Sequence, residues 1–285
     1  MSSKCNLYEM TAMLSMALGM VGCVSSGPEA GTAVAEQAVM TYGYSWGVTT
    51  TSSIPIGTSV GRTCFLSGVA GNLQPPESEF GFVDPPPGAD LWIDDNNDYH
   101  LTVTTYGREL NVFAQCVNTA AGRTAPVQWI TSGPGDPNNG AKWLASLKDH
   151  PYRRCFLTGL HSGYQPEKSG FVSNDDYVRI ITSWDQQNGY QLYLGGVQSN
   201  VASATAQCID VNVDYGSWQW TAADPGARQD PLSNTVGISC PLTGIGGHFN
   251  QDAWLDGAYT SLETGINQFY MNTANGHTGW TTCVN

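Results

Sequence analysis

Short runs of alternating apolar and polar residues predict strands along this chain. Tyr99-His-Leu-Thr-Val103 alternates as a strand with one buried face should, and Tyr190-Gln-Leu-Tyr-Leu194 follows the same pattern. Upstream of each stands a more apolar stretch that the chain writes three times: Cys64-Phe-Leu-Ser-Gly-Val69, Cys155-Phe-Leu-Thr-Gly-Leu160 and Cys240-Pro-Leu-Thr-Gly-Ile245. Each copy is followed 43 to 53 residues later by a second cysteine, at Cys116, Cys208 and Cys283.

The order of segments repeats as well. Gly81-Phe-Val83 matches Gly170-Phe-Val172, Leu91-Trp-Ile93 matches Val178-Arg-Ile180, and Ala114-Gln-Cys116 matches Ala206-Gln-Cys208. From leading cysteine to matching tyrosine (Tyr99, Tyr190) the step is 35 residues in both units. The third unit is a shortened copy, with Asn267-Gln-Phe-Tyr-Met271 and Thr281-Thr-Cys283 in the corresponding places. Agreement at so many points signals internal duplication. The expected fold is all-β: three β-meander repeats, about 46–118, 129–210 and 220–285, each holding one disulfide. Trp129 and Trp220 follow the closing cysteines by 13 and 12 residues, whereas the third unit ends too soon to have such a strand. Tyr44-Ser-Trp46 is the spare copy. This favours a closed pseudo-threefold assembly in which the N-terminal strand completes the third unit and no edge is left open. The alternative is three tandem beads, each begun by its own tryptophan strand. Trp46, Trp129 and Trp220 are expected in the core.

Composition agrees. The 285 residues are 41% hydrophobic and only 12% charged, and 33 Gly and 15 Pro suit turn-rich β structure. A net charge of −13 repels phosphate backbones and argues against nucleic acid as a partner.

The N-terminus reads as a targeting segment. Lys4 precedes an apolar stretch from Met10 to Gly22, too short to span a bilayer as a helix. It ends Met20-Val-Gly-Cys23, which resembles the lipobox of bacterial lipoprotein precursors. The resemblance implies that residues 1–22 are removed, that Cys23 carries lipid and anchors the chain in a membrane, and that 23–39 is a flexible tether to a body at 40–285. Val24, standing where an inner-membrane retention signal would have Asp, implies outer-membrane or cell-surface sorting. Of eight cysteines, Cys5 would leave with the signal and Cys23 would carry lipid, so six remain in an exported protein, where disulfides persist. Pairing within repeats gives Cys64–Cys116, Cys155–Cys208 and Cys240–Cys283.

Motifs for chemistry are sparse. There is no G-x-S-x-G, H-E-x-x-H, P-loop or G-x-G-x-x-G, and no cofactor is implied. A triad or a pair of facing carboxylates assembled from distant residues stays open. Residues that differ between copies are free of the shared scaffold, so a site should lie among them. His161 and His248 fall in the same loop of different units. Asp94, Asn96 and Asp98 have a calcium-loop spacing, but Tyr99 stands where such a loop needs Gly. Many of the acids, Asp175, Asp176 and Asp185 among them, read as turn formers.

The aromatic residues are the strongest lead. Trp92, Trp143, Trp184, Trp254 and Trp280 fall in loops or off the repeat pattern. Trp184-Asp185 and Trp254-Leu-Asp256 set ring faces beside carboxylates, the chemistry of sugar recognition. The expected function is a non-catalytic binding module, its ligand a glycan or a protein. The alternatives are a structural envelope lipoprotein and a hydrolase of an extracellular polymer.

Overall fold

The computed structural model describes residues 44–75, 83–136, 140–163, 169–212, 214–221, 232–234, 237–252, 256–263, 268–274 and 276–285, all within the compact unit Val39–Asn285. The expected signal, Cys23 and the tether lie outside the described residues, as do Gly81, Phe82 and Trp254.

The body is all-β. Its strands in chain order are β1 (Tyr44–Thr58), β2 (Thr63–Gly71), β3 (Gly88–Ile93), β4 (Asp98–Val117), β5 (Val127–Thr131) and β6 (Lys142–Ser146). There follow β7 (Arg153–Ser162), β8 (Tyr177–Asp185), β9 (Gly189–Val197), β10 (Ala202–Asp210) and β11 (Asp214–Thr221). The last are β12 (Ser233–Asn234), β13 (Leu242–Gly246), β14 (Gly257–Glu263), β15 (Gln268–Thr273) and β16 (Thr278–Val284). One sheet runs β12-β15-β14-β2-β4-β3-β7-β10-β5, with β1 along the free edge of β4; the other runs β11-β16-β13-β8-β9-β6.

Each motif strand pairs with the strand of its second cysteine: β2 with β4, β7 with β10, β13 with β16. The three expected disulfides all form, Cys64–Cys116, Cys155–Cys208 and Cys240–Cys283. The motif serves two cores. Its Cys and Leu belong to the main core, while Phe65 and Phe156 turn to the other side, 4.7 Å apart, into a second cluster. Val117, Ile209 and Val284, each next to a closing cysteine, complete that cluster together with Val211.

The motif ends in a β-bulge rather than a turn. Leu66 faces Ala114 and Gly68 faces Phe113, so Ser67 is an extra residue; Thr158 and Thr243 are extra in the same way.

The tryptophan strands pair with the repeat that follows them. Trp46 faces Val112, Trp129 faces Ala204 and Trp220 faces Gly279, on β4, β10 and β16. The N-terminal strand therefore lies on the first repeat and does not complete the third: β11, the nearer copy, already occupies that edge of β16. Trp129 is fully buried and Trp220 packs half-buried against the core.

Between repeats, β3 pairs with β7, β8 with β13, and β14 with β2. In each ladder the residue six after the motif cysteine, His161, Gly246 or Ala70, faces Gly88, Tyr177 or Gly257. This register shifts the sequence match by two residues. Counting along the hairpins, Tyr99 corresponds to Leu192 and Phe269, all three buried, and Leu91 to Ile180. Tyr190, which the 35-residue step matches to Tyr99, is 55% exposed at a hairpin tip. Burial decides the register here: a slip of one hairpin turn leaves the chain spacing intact but changes which side chain reaches the core.

Candidate functional site

The bulge glycine creates the most individual surface of each repeat. At Gly68, Gly159 and Gly244 the facing strand lies so close that a β-carbon would meet Tyr259 Cβ at 2.1 Å, Asp90 Oδ1 at 2.6 Å or Arg179 Cβ at 2.5 Å. The scaffold demands glycine and leaves the residue seated on it free, and the three seats carry three chemistries.

On the first, Tyr259 stacks flat on Phe113, with centroids 4.6 Å apart and planes 9° off parallel. On the second, Asp90 Oδ2 lies 2.7 Å from His161 Nε2, while His161 Nδ1 lies 3.2 Å from the Pro86 carbonyl. Burial pulls the imidazole down, but the Asp90 hydrogen bond and charge, with the Pro86 carbonyl, outweigh it and raise its pKa above 6.5. Both ring nitrogens face acceptors, which suits the imidazolium. On the third, the Arg179 guanidinium packs against the Tyr177–Trp280 ring pair, 5.4 and 5.6 Å from ring centres that are themselves 5.8 Å apart.

Of the tryptophans placed in loops or off the repeat pattern, Trp92, Trp143, Trp184 and Trp280 are strand residues. Trp92 stacks on its cross-strand partner His100 at 4.5 Å and donates to Thr102 Oγ1. Trp184 sits edge-on to Tyr190 at 4.8 Å across the tip of the β8–β9 hairpin. Trp143 donates from Nε1 to Gln191 Oε1 at 3.0 Å. Trp143 and Trp184 are 56% and 62% exposed.

The acidic candidates are mostly structural. Asp185 Oδ1 accepts from the amides of Gln187 and Asn188 and closes the turn beside Trp184. Asp176 is buried and accepts from the amides of Val172, Ser173 and Ser199. Asp94 accepts from the amides of Asn96 and Asp98 and lies 3.1 Å from His100 Nε2. The Asp98 amide above all holds the Asp94 carboxyl below its usual value. The Asp94-x-Asn96-x-Asp98 spacing is thus a turn cap, and no group of three or more metal-ligating side chains gathers among the described residues.

His161 and His248 do not share a partner. His161 joins Asp90, whereas His248 acts on His277, whose ring is fully buried. His277 Nε2 lies 3.3 Å from Asp256 Oδ1, out of hydrogen-bond alignment, and Asp256 is buried rather than surface-facing. Burial drives the His277 pKa down to about 4 and keeps its imidazole neutral.

Arg179 and Asp90 escape a sequence reading, because their place opposite the motif glycine appears only once the ladders between repeats are known. No protein-family model, curated protein or solved structure matches the chain.

Proposed function

We propose that the chain is an exported, lipid-anchored binding module that holds a glycan on the sheet β11-β16-β13-β8-β9-β6. One observation carries the reading. Of the six aromatic side chains exposed among the described residues, four (Trp143, Trp184, Tyr190 and Tyr215) belong to this sheet. Exposed rings with hydroxyls, amides and turn-held carboxylates beside them suit sugars, whose apolar faces stack while their hydroxyls bond. Three disulfides suit an exported protein, and the lipobox resemblance of Met20–Cys23 supports the anchor.

The scaffold around this sheet we infer to be a closed pseudo-threefold assembly. Its support is the cycle of ladders, first repeat to second, second to third, and third back to first, in one register. Such closure gives the sheets fixed faces on which residues vary without cost to the fold.

A glycan array probed with the purified chain tests the function. Retention of a defined glycan, lost on Trp184→Ala or Trp143→Ala without a change in melting temperature, is the expected result. No retained glycan, or retention indifferent to both changes, would return the chain to a structural role in the envelope.

A further inference from the structure

The ladder between β8 and β13 is short, running only from Tyr177 to Arg179 on β8. From Ile180 onward β8 pairs with β9 alone, and a cleft of about 480 Å³ opens beside the edge so freed. Arg179, Thr182, Ser217, Trp218, Thr243 and Trp280 are among the side chains that line it. Thr243 is the bulge residue of the third motif, so the same local geometry that seats Arg179 on Gly244 also turns a hydroxyl toward the cleft.

The charges of the lining do not balance. Arg154 and Asp214, also at the cleft, satisfy each other, with Nε 2.7 Å from Oδ2. Arg179 has no carboxylate partner among the described residues, and its Nε is buried without a hydrogen-bond acceptor. An unmatched guanidinium is unexpected on a chain of net charge −13, where acids are abundant. It is also held in place: it packs against the neighbouring rings of Tyr177 and Trp280, and Gly195 and Gly244 face its backbone on the strands either side. The corresponding seats on the other repeats carry Tyr259 and Asp90, so the scaffold does not require a cation at this position.

We propose that this cleft is a subsite for a carboxylated sugar, with Arg179 as the residue that binds its carboxylate. The inference rests on the glycan reading above and names the class of glycan. A guanidinium offers two parallel N–H donors that match a carboxylate; the Arg179 Nε is buried, so the pair that can meet a ligand in the cleft is Nη1 and Nη2. Trp280 and Trp218 supply ring surface for the sugar, and Thr182, Ser217 and Thr243 supply hydroxyls for its own.

Titration calorimetry of the full chain with an oligogalacturonate, its carboxyl-reduced neutral counterpart and sialyllactose tests the proposal. Arg179→Gln removes the charge; Arg179→Lys keeps it but loses the planar fork. The expected result is acid binding roughly tenfold tighter than neutral binding. Arg179→Gln should erase that preference, bringing acidic and neutral sugars to equal affinity, and Arg179→Lys should retain part of it. Preference for oligogalacturonate assigns a uronate and preference for sialyllactose a sialate; either supports the subsite. Equal binding of acidic and neutral sugars, or unaltered acid binding by Arg179→Gln, overturns this subsite and leaves the glycan reading standing. Failure to bind any of the three, together with an empty glycan array, overturns both.

Discussion

Gly68 lies directly beneath Tyr259: a β-carbon on the glycine would stand 2.1 Å from Tyr259 Cβ and 2.6 Å from its Cα. The first repeat's motif thus ends where a strand of the third repeat sits down. Conformational freedom is not the reason for glycine here, since Gly68 has no left-handed φ; close approach of two backbones is.

Alanine at the three motif glycines should therefore not be equivalent. At Gly68 and Gly244 the obstructing atoms are the backbone or Cβ of the facing residue, which cannot step aside. At Gly159 the nearest atom is the movable end of Asp90. Gly68→Ala and Gly244→Ala should each cost about 1–3 kcal/mol or more, and Gly159→Ala clearly less. Urea unfolding of the three variants measures the order; equal losses would show that the seams between repeats are not built on this contact.

Removing residues 44–51 tests where the N-terminal strand belongs. Its partners are Leu110 to Ala114 of β4 and, past a bulge, Tyr106. Amide exchange should accelerate along that part of β4 and stay slow along Thr278–Val284 of β16. The opposite pattern would place the N-terminal strand on the third repeat.

Each disulfide joins residues far apart in sequence but adjacent across one ladder, with separations of 52, 53 and 43 residues. Replacing Cys64 and Cys116 together by alanine frees the unfolded chain and should lower stability by about 4 kcal/mol. Chemical denaturation of oxidised wild type and the double variant gives the difference directly.

Two histidines should set opposite limbs of the pH–stability curve. His161 has a raised pKa, so the unfolded state gives up its proton first. Its contribution is complete below pH 6.5 and disappears as pH climbs through the folded value. His277 is depressed to about 4, so below pH 6.5 the unfolded state gains a proton that the fold refuses. Stability should fall as pH drops from 6.5 toward 4. Melting temperatures across pH for His161→Gln and His277→Gln should flatten the alkaline and acid limbs respectively. A variant that leaves its own limb unchanged removes that histidine from the account.

Much of the fold was legible in the chain before any coordinates. Three spaced copies of Cys-x-Leu-[Ser/Thr]-Gly, each with a second cysteine downstream, named the disulfides correctly, because a cross-strand bridge needs only that the two strands of one unit pair. The recurring tryptophans marked equivalent strands for a similar reason: Trp46, Trp129 and Trp220 all face the same ladder position.

Other matters depended on contacts between repeats, which spacing does not encode. Tyr99 and Tyr190 stand the same 35 residues from their cysteines, yet one is buried and the other exposed, since the hairpin register answers to burial rather than to count. Trp46 marks a strand in the chain, but whether that strand edges β4 or β16 depends on which edge is still open. The motif glycine, too, looks like a turn until the facing strand is placed upon it. By itself the sequence determined the β class and the cysteine pairs, properties of segments that pair locally. Only the tertiary structure decided which residue each glycine carries, and hence that Arg179 stands beside Trp280 at a cleft whose one acid among the described residues, Asp214, is taken by Arg154.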